Sequence, residues 1–401
     1  MGDTYSGLGV DARKGGFGRR MTAVSKDNFP YAFCKMYEDP DTGLIVCQHG
    51  DGVGSKSIQR YLHWRETGDS SVFGGDVDDC VEMNLGDIAC SGLDPVMLTD
   101  NIAINKSRVP KEVYMDAINQ RFAELMEFYA EHGMGFTFAG GETADLPDQV
   151  GTYVFDGTVY ARAPREKIVT CEKISPGDII MGLRSGGSCD IEGGPNSGIM
   201  SNGLTMARHV LMHPDYAGKY PEIKDTSRDD NTYTGRFRVD DRPGDLGMSV
   251  SEAIISPTRH FSIIVHELLR RYGDEIHGIV LNTGGGQTKC TRVGRGIRYV
   301  KDGLPMPDEI FRLIQSETGE GWENMYQDFN MGIGLDVIGP QEMQGHVMEL
   351  ADEFGVGSMR TGYCDESKEK RGGNPVNQLV ITNSPWTLGE EADSDLEYQA
   401  E

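Results

Sequence analysis

Positive charge is what this 401-residue chain has least of: 38 Lys and Arg stand against 63 Asp and Glu, a formal net charge of −25. Nucleic-acid binders carry a basic face, so the deficit argues against a phosphate-backbone partner. Any nucleotide site must then rely on local cations and backbone N–H groups. An acidic surface favours solubility, and it fits a high-salt cytoplasm, an expectation that indifference to molar salt would sink. Long hydrophobic runs are missing too: none approaches the roughly 20 residues of a membrane-spanning helix. Met1-Gly2-Asp3-Thr4 lacks the basic and apolar parts of a secretion signal, and the cytoplasm is the expected location. The eight cysteines form no C-x-x-C pair and no His/Cys cluster at metal spacing. They read as reduced, mostly buried thiols, with no structural zinc expected. No P-loop, G-x-G-x-x-G fingerprint, kinase signature set or G-x-S-x-G elbow occurs. If ATP binds here, it binds in another architecture.

What is present suits a soluble globular protein: 38% hydrophobic and 25% charged residues. The length favours two domains. The break is expected near 163–175, where Ala163-Pro164 ends a strand and Ile174-Ser175-Pro176-Gly177-Asp178 starts afresh. This gives a nucleotide-binding and dimerising domain over 1–168, a second domain over 169–385 and an acidic, disordered tail over 386–401. The central stretch is Gly50-Asp51-Gly52-Val53-Gly54-Ser55-Lys56, entered from the apolar run Leu44-Ile45-Val46-Cys47. Glycines admit a ligand close to the backbone, and oriented N–H groups with Lys56 make an anion-binding concavity. An Asp in the same turn makes sense beside phosphate only with a cation between them, hence a Mg–nucleotide site. An ordinary strand–turn–helix connection would look the same.

A helix is expected over Ser57–Glu66 and another over 76–89, with Val77, Val81, Leu85 and Ile88 at helical spacing. Asp79, Met83 and Asp87 run along one flank of the second; a solvated acidic face is the plain alternative. A strand over Val96–Ile104, a helix over Lys111–Glu131 and a strand–turn at Phe136–Asp145 follow, the turn holding Gly140-Gly141-Glu142-Thr143. Thr152–Arg162 completes an α+β first half. In the second half Ile179–Leu183 reads as a strand, and Ser201-Asn202-Gly203 as a helix start where capping is the plain role. Residues 213–249 read as an insertion. Pro257 sits in the first turn of a helix running to Tyr272, and His277–Asn282 is a strand ending in Thr283-Gly284-Gly285-Gly286. A helix over 340–354 and strands near 356–363 and 377–382 close the chain. Residues 1–30 read as an arm that orders against something else.

Taken in order, Gly9-Val10-Asp11, the Asp51–Lys56 turn, Asp79, Asp87, Gly140–Ala144, Ser201-Asn202-Gly203, Pro257-Thr258-Arg259, Thr283–Gly286 and Phe329-Asn330-x-Gly resemble the aminoimidazole ribonucleotide synthetase (phosphoribosylformylglycinamidine cyclo-ligase) family over about residues 7–340. The resemblance implies a two-domain α+β subunit whose first domain pairs with a second copy in a β-barrel across a homodimer, its second domain being an α/β sandwich. It implies ATP and Mg²⁺ in a cleft between the domains and a small ribonucleotide as substrate. Asp51, Asp79, Asp87 and Glu142 would hold Mg²⁺. Gly52, Gly54, Gly140, Gly141 and Thr143 would line the nucleotide, Lys56 would offset phosphate charge, Asn202 would bond substrate, and Arg259 would help with substrate phosphate or the closing cleft. The family's histidine before Ser-Asn-Gly is Met200 here, and the one before Thr-Gly-Gly-Gly is Leu281. His49 or His260 is left for acid–base work. Sister enzymes of the superfamily (selenophosphate synthetase, thiamine-monophosphate kinase, the hydrogenase-maturation dehydratase) and a non-catalytic nucleotide-binding regulator are the competing readings.

Overall fold

The computed structural model describes residues 4–10, 27–228, 230–382 and 395–400, and two sheets organise them. The first contains β1 (Tyr37–Glu38), β2 (Ile45–Gly52), β3 (Asp94–Ile104), β4 (Thr137–Asp145) and β5 (Tyr153–Ala163). Its spatial order is β1-β2-β5-β3-β4. All pairs are antiparallel except β3 with β4. In β5 alternate residues Tyr153, Phe155, Gly157, Val159, Ala161 and Ala163 are buried, the period-2 pattern of a strand with one covered face. The helices Gly75–Ala89 and Lys111–Glu131 lie on the covered side.

The Gly75–Ala89 helix is buried nearly all round, because a helix from the second half, Phe261–Tyr272, packs on its other side. A helix enclosed in this way must pair every acid it carries. The second sheet contains β6 (Ile179–Arg184), β9 (Gly278–Leu281), β10 (Ile297–Lys301), β11 (Ile333–Gly339), β12 (Ser358–Glu366), β15 (Gln378–Ile381) and β16 (Leu396–Gln399). The order is β16-β15-β10-β12-β6-β11-β9, with β9 and β11 buried on both faces, β9 as an unbroken apolar run and β11 interrupted by Asp336, which pairs with Lys301. Two small hairpins, β7 (Gly186–Gly187) with β8 (Asn196–Ser197) and β13 (Lys370–Arg371) with β14 (Asn374–Pro375), stand apart from both sheets.

Several expectations are corrected. Asp51-Gly52 and Gly140–Asp145 are not turns: the first closes β2, and the second continues β4 beside β3 through a register shift. Pro257 does not open a helix; residues 256–260 run extended and the helix begins at Phe261. At Ser201-Asn202-Gly203 neither polar side chain caps the Leu204–Leu211 helix, and Gly203 occupies the N-cap at φ 65°. Part of the acidic tail is ordered, since Leu396–Gln399 pairs with β15. The 213–249 insertion packs rather than floats: Tyr216 and Tyr233 are buried, and Tyr233 accepts a bond from Arg208 Nε at 2.9 Å. Behind it, a capping box of Ser249 and Glu252 starts an unexpected helix, Val250–Ile255. Most of the N-terminal arm (residues 11–26, Asp11 included) lies outside the described residues.

Candidate active site

Three of the sequence motifs, at Gly54-Ser55, Ser201-Asn202-Gly203 and Gly284-Gly285, meet at a cavity of about 290 Å³ between the two halves. Gly54 and Ser55 line it from the first half; Ser201–Thr205, Gly284, Gly285, Arg292 and Asp328 line it from the second. Gly203 is obligatory: besides its positive φ, a Cβ there would meet the Phe329 ring at 2.0 Å, so Phe329-Asn330 sets the height of the Ser-Asn-Gly turn. Ser55 Oγ and Thr205 Oγ1 bond at 2.8 Å, and Arg208 donates to the Ser55 carbonyl at 2.9 Å, tying the two sides together. The Asn202 side chain is buried and its Nδ2 has no hydrogen-bond partner. Arg292 has no ion-pair partner among the described residues and reaches toward Gly285. Donors and a cation around glycine backbone at a helix N-terminus could hold an anion, with Asp328 as the acid on the same wall.

Lys56 and Asp79 do not reach this cavity. Lys56 Nζ is fully buried, 2.8 Å from Asp79 Oδ1, and donates to the Ser256 carbonyl at 2.7 Å. Burial pulls its pKa down to about 8 against the pull of Asp79. Asp79 also receives Arg60 (2.5 Å), Ser201 Oγ (3.0 Å), and the N–H and hydroxyl of Thr258 (2.8 and 2.7 Å). Burial works to raise its pKa, but Lys56 and Arg60 hold it below the ordinary carboxylate value. The extended 256–260 segment exists to deliver Thr258 to this carboxylate. Arg259 is likewise buried: it meets Glu192 and donates to the carbonyls of Arg184, Gly186 and Gly187, so four of its five N–H groups are engaged within the protein.

Asp87, at the other end of the helix, sits in a different cluster. His49 Nε2 lies 3.3 Å from its Oδ2 and Lys289 Nζ 3.6 Å from its Oδ1. Lys289 also donates to Thr283 and stacks 4.6 Å over the Phe33 ring, joining the Thr-Gly-Gly-Gly turn to the carboxylate. Burial would raise the Asp87 pKa, yet Lys289 and His49 hold it below its usual value. Burial would lower His49, but Asp87 lifts it to about 9. Burial pushes the Asp51 pKa up, against the pull of the bond it accepts from Gly52 N–H, and the charge of Asp87 adds to the rise.

The four expected metal ligands are therefore not brought together. Asp79 and Asp87 stand eight residues apart on one helix, about 12 Å along its axis. Asp51, Gly157, Asp100 and Gly141 form one row across β2, β5, β3 and β4, so Glu142 lies three strand spacings, roughly 14 Å, from Asp51. Glu142 is exposed, and Thr143 half-buried beside Ile102. A Cβ on Gly52 would strike Asp156 and one on Gly141 would strike Asp100, so both glycines serve strand packing; Gly140 faces open space. Only Asp51 and Asp87 stay in electrostatic contact.

Neither replaced histidine position offers a proton. Met200 is buried at φ 54° against Gly334, and Leu281 is buried against Gly86. His260 is also enclosed, its Nδ1 2.9 Å from Tyr129 OH and its Nε2 3.5 Å from Asp78. Sequence reasoning missed Arg292, which belongs to no motif, and Asn84, whose Oδ1 lies 3.2 Å from His49 Nδ1.

Comparison with known proteins places the chain in a family. Residues 36–163 match the family "AIR synthase related protein, N-terminal domain". A phosphoribosylformylglycinamidine cyclo-ligase of Methanocaldococcus jannaschii is 30% identical over 334 residues, 82% of this chain and 81% of that protein. One of Pyrococcus horikoshii is 30% identical over 88% of this chain and 92% of its own length. Among solved structures, phosphoribosylformylglycinamidine synthase II of Thermotoga maritima shares the fold with a TM-score of 0.52 at 11% identity, covering 98% of this chain and half of that one. Hydrogenase maturation protein HypE in complex with ATP does so at 0.51 and 16%, covering 93% and 94%. With its motifs in order along this fold and two cyclo-ligases matched over most of its length, the chain is an enzyme that belongs to the phosphoribosylformylglycinamidine cyclo-ligase family.

Proposed function

We propose that the protein closes the imidazole ring of purine synthesis: formylglycinamidine ribonucleotide and ATP give aminoimidazole ribonucleotide, ADP and phosphate. The observation that carries this reading is the cavity lining, where the buried Asn202 Nδ2 and the exposed Arg292 have no hydrogen-bond or ion-pair partner among the described residues and stand beside the Gly284-Gly285 backbone. An amide oxygen is a poor leaving group, and its phosphorylation by ATP lets a nearby nitrogen attack the carbon. Such a transfer asks the protein mainly for position and charge stabilisation. Asn202 would hold a substrate oxygen, and Arg292 with the glycine N–H groups would hold phosphate. Asp51 and Asp87 fit Mg²⁺, which favours one or two carboxylates plus phosphate oxygens; Asp87 Oδ1 has no hydrogen-bond partner. Lys289 would neutralise the charge left when that carboxylate turns to its ligand. Lys56, Asp79 and Arg259 become positioning residues, Asp79 tying Ser201 at the cavity wall to Thr258 behind it.

We also propose that two chains pair through the open face of the first sheet. Met97 on β3 and Val154 on β5 are exposed there, 41% and 39% accessible. The test of function is ADP release with formylglycinamidine ribonucleotide, together with an assay for the aminoimidazole product, in wild type and Asp87→Asn. Product and ADP in wild type, both lost in the variant, support the reading; no product from folded wild-type protein overturns it.

A further inference from the structure

The environment of His49 presents an unusual geometry. Asn84 Nδ2 donates to the carbonyls of Asp51 (3.1 Å) and Cys80 (2.9 Å), so its Oδ1 is the acceptor that faces His49 Nδ1. His49 Nδ1 must then carry the proton. In a neutral ring the Nε2 lone pair points at Asp87 Oδ2, 3.3 Å away. Two electron pairs facing one another at that distance require a cation between them. A proton is one such cation; a metal ion is the other. The third wall is Cys34, whose backbone is pinned by Ser91 Oγ at 3.0 Å and whose Sγ lies 3.0 Å from the Asp87 carbonyl. One ligand atom from each of Cys34, His49 and Asp87 falls within 4.8 Å of the others.

We propose that Cys34, His49 and Asp87 form a binding site for one thiophilic divalent cation of the zinc type. Bonds of about 2.0–2.3 Å from sulfur, nitrogen and oxygen set tetrahedral ligand edges of roughly 3.3–3.8 Å. The His49–Asp87 separation of 3.3 Å already has that length. Thiolate, imidazole and carboxylate together select a borderline-soft ion over Mg²⁺, which takes oxygen ligands. The Asn84 bond to the far ring nitrogen is the outer-shell support typical of a metal-bound histidine. The pieces sit on β2, on the Gly75–Ala89 helix and on a loop fastened to it, so little rearrangement is needed. Binding releases the Cys34 thiol proton and the proton between His49 and Asp87 to solvent. Water completes the coordination. A bound ion draws Asp87 away from Lys289 and so competes with the nucleotide reading of the same carboxylate.

The site is tested on reduced, nucleotide-free protein with Co²⁺ alone, an experiment independent of whether ring closure occurs. The expected result is a thiolate-to-cobalt charge-transfer band with tetrahedral d–d bands, saturating at one equivalent, displaced by Zn²⁺ and indifferent to excess Mg²⁺. Cys34→Ser should abolish the charge-transfer band, and Asn84→Ala should weaken cobalt binding about 10- to 100-fold. Wild-type protein without the band, or a band unchanged in Cys34→Ser, overturns the proposal.

Discussion

At Lys56 a single side chain decides how two halves of the chain meet. Its ammonium joins Asp79 on one helix to the Ser256 carbonyl 200 residues away, with no solvent access. A buried pair of this kind adds modest net stability, yet breaking one partner leaves a charge uncompensated. Lys56→Met is expected to cost about 3–5 kcal/mol in urea unfolding; a loss under 1 kcal/mol would mean that the carboxylate finds other partners. Asn202 is the opposite case, a buried donor with nothing to bond. Asn202→Ala should leave the unfolding midpoint in place while lowering kcat/KM roughly 10- to 100-fold, the worth of one hydrogen bond to a charged group of about 1.5–3 kcal/mol. At Lys56 the residue type named a cation correctly and misassigned its role. A Lys in a glycine turn looks the same in sequence whether it faces phosphate or a buried carboxylate. The choice rests on which surface the turn is folded against.

Among the elements, local sequence pattern located the Lys56–Thr67, Gly75–Ala89 and Lys111–Glu131 helices and strands β3, β5, β6 and β9. It failed where tertiary hydrogen bonds override local preference. Pro257 sits where a helix would begin, but Asp79 takes the Thr258 N–H and hydroxyl and keeps the segment extended. Gly140-Gly141 reads as a turn, yet pairing with β3 draws it into a strand. The insertion shows the same override, because its Tyr233 packs 4.3 Å from the ring of His209 in the Leu204–Leu211 helix. Burial, reinforced by Arg208, pulls the His209 pKa down to about 3. Folded protein then keeps His209 neutral while unfolded chain binds a proton below about pH 6.5, so this contribution falls as pH drops from 6.5 toward 3. His209→Gln is expected to shrink the unfolding free-energy difference between pH 7 and pH 5 by about 2 kcal/mol; an equal difference in both proteins would refute the buried neutral imidazole.

For the whole molecule, charge and shape set two further expectations. A formal charge of −25 makes the compact state repel itself, and molar salt cuts the screening length to about 3 Å. The thermal midpoint should therefore rise with KCl; a flat response would remove the high-salt reading. The open face of the first sheet should make the protein a dimer by light scattering, and Met97→Glu with Val154→Glu should halve its mass; a wild-type monomer would refute the pairing. Among the described residues no helix is long and apolar enough to cross a membrane. The sequence by itself determined the class of fold, the order of the elements and the motifs of the family, since periodicity and glycine placement act through neighbours in the chain. Only the tertiary structure decided which acids share a site, that Lys56 and Arg259 are enclosed, and that Cys34, His49 and Asp87 meet. Side chains far apart in the chain acquire distances only when sheets and helices pack, and distance decides whether a carboxylate meets a cation, a metal or another carboxylate.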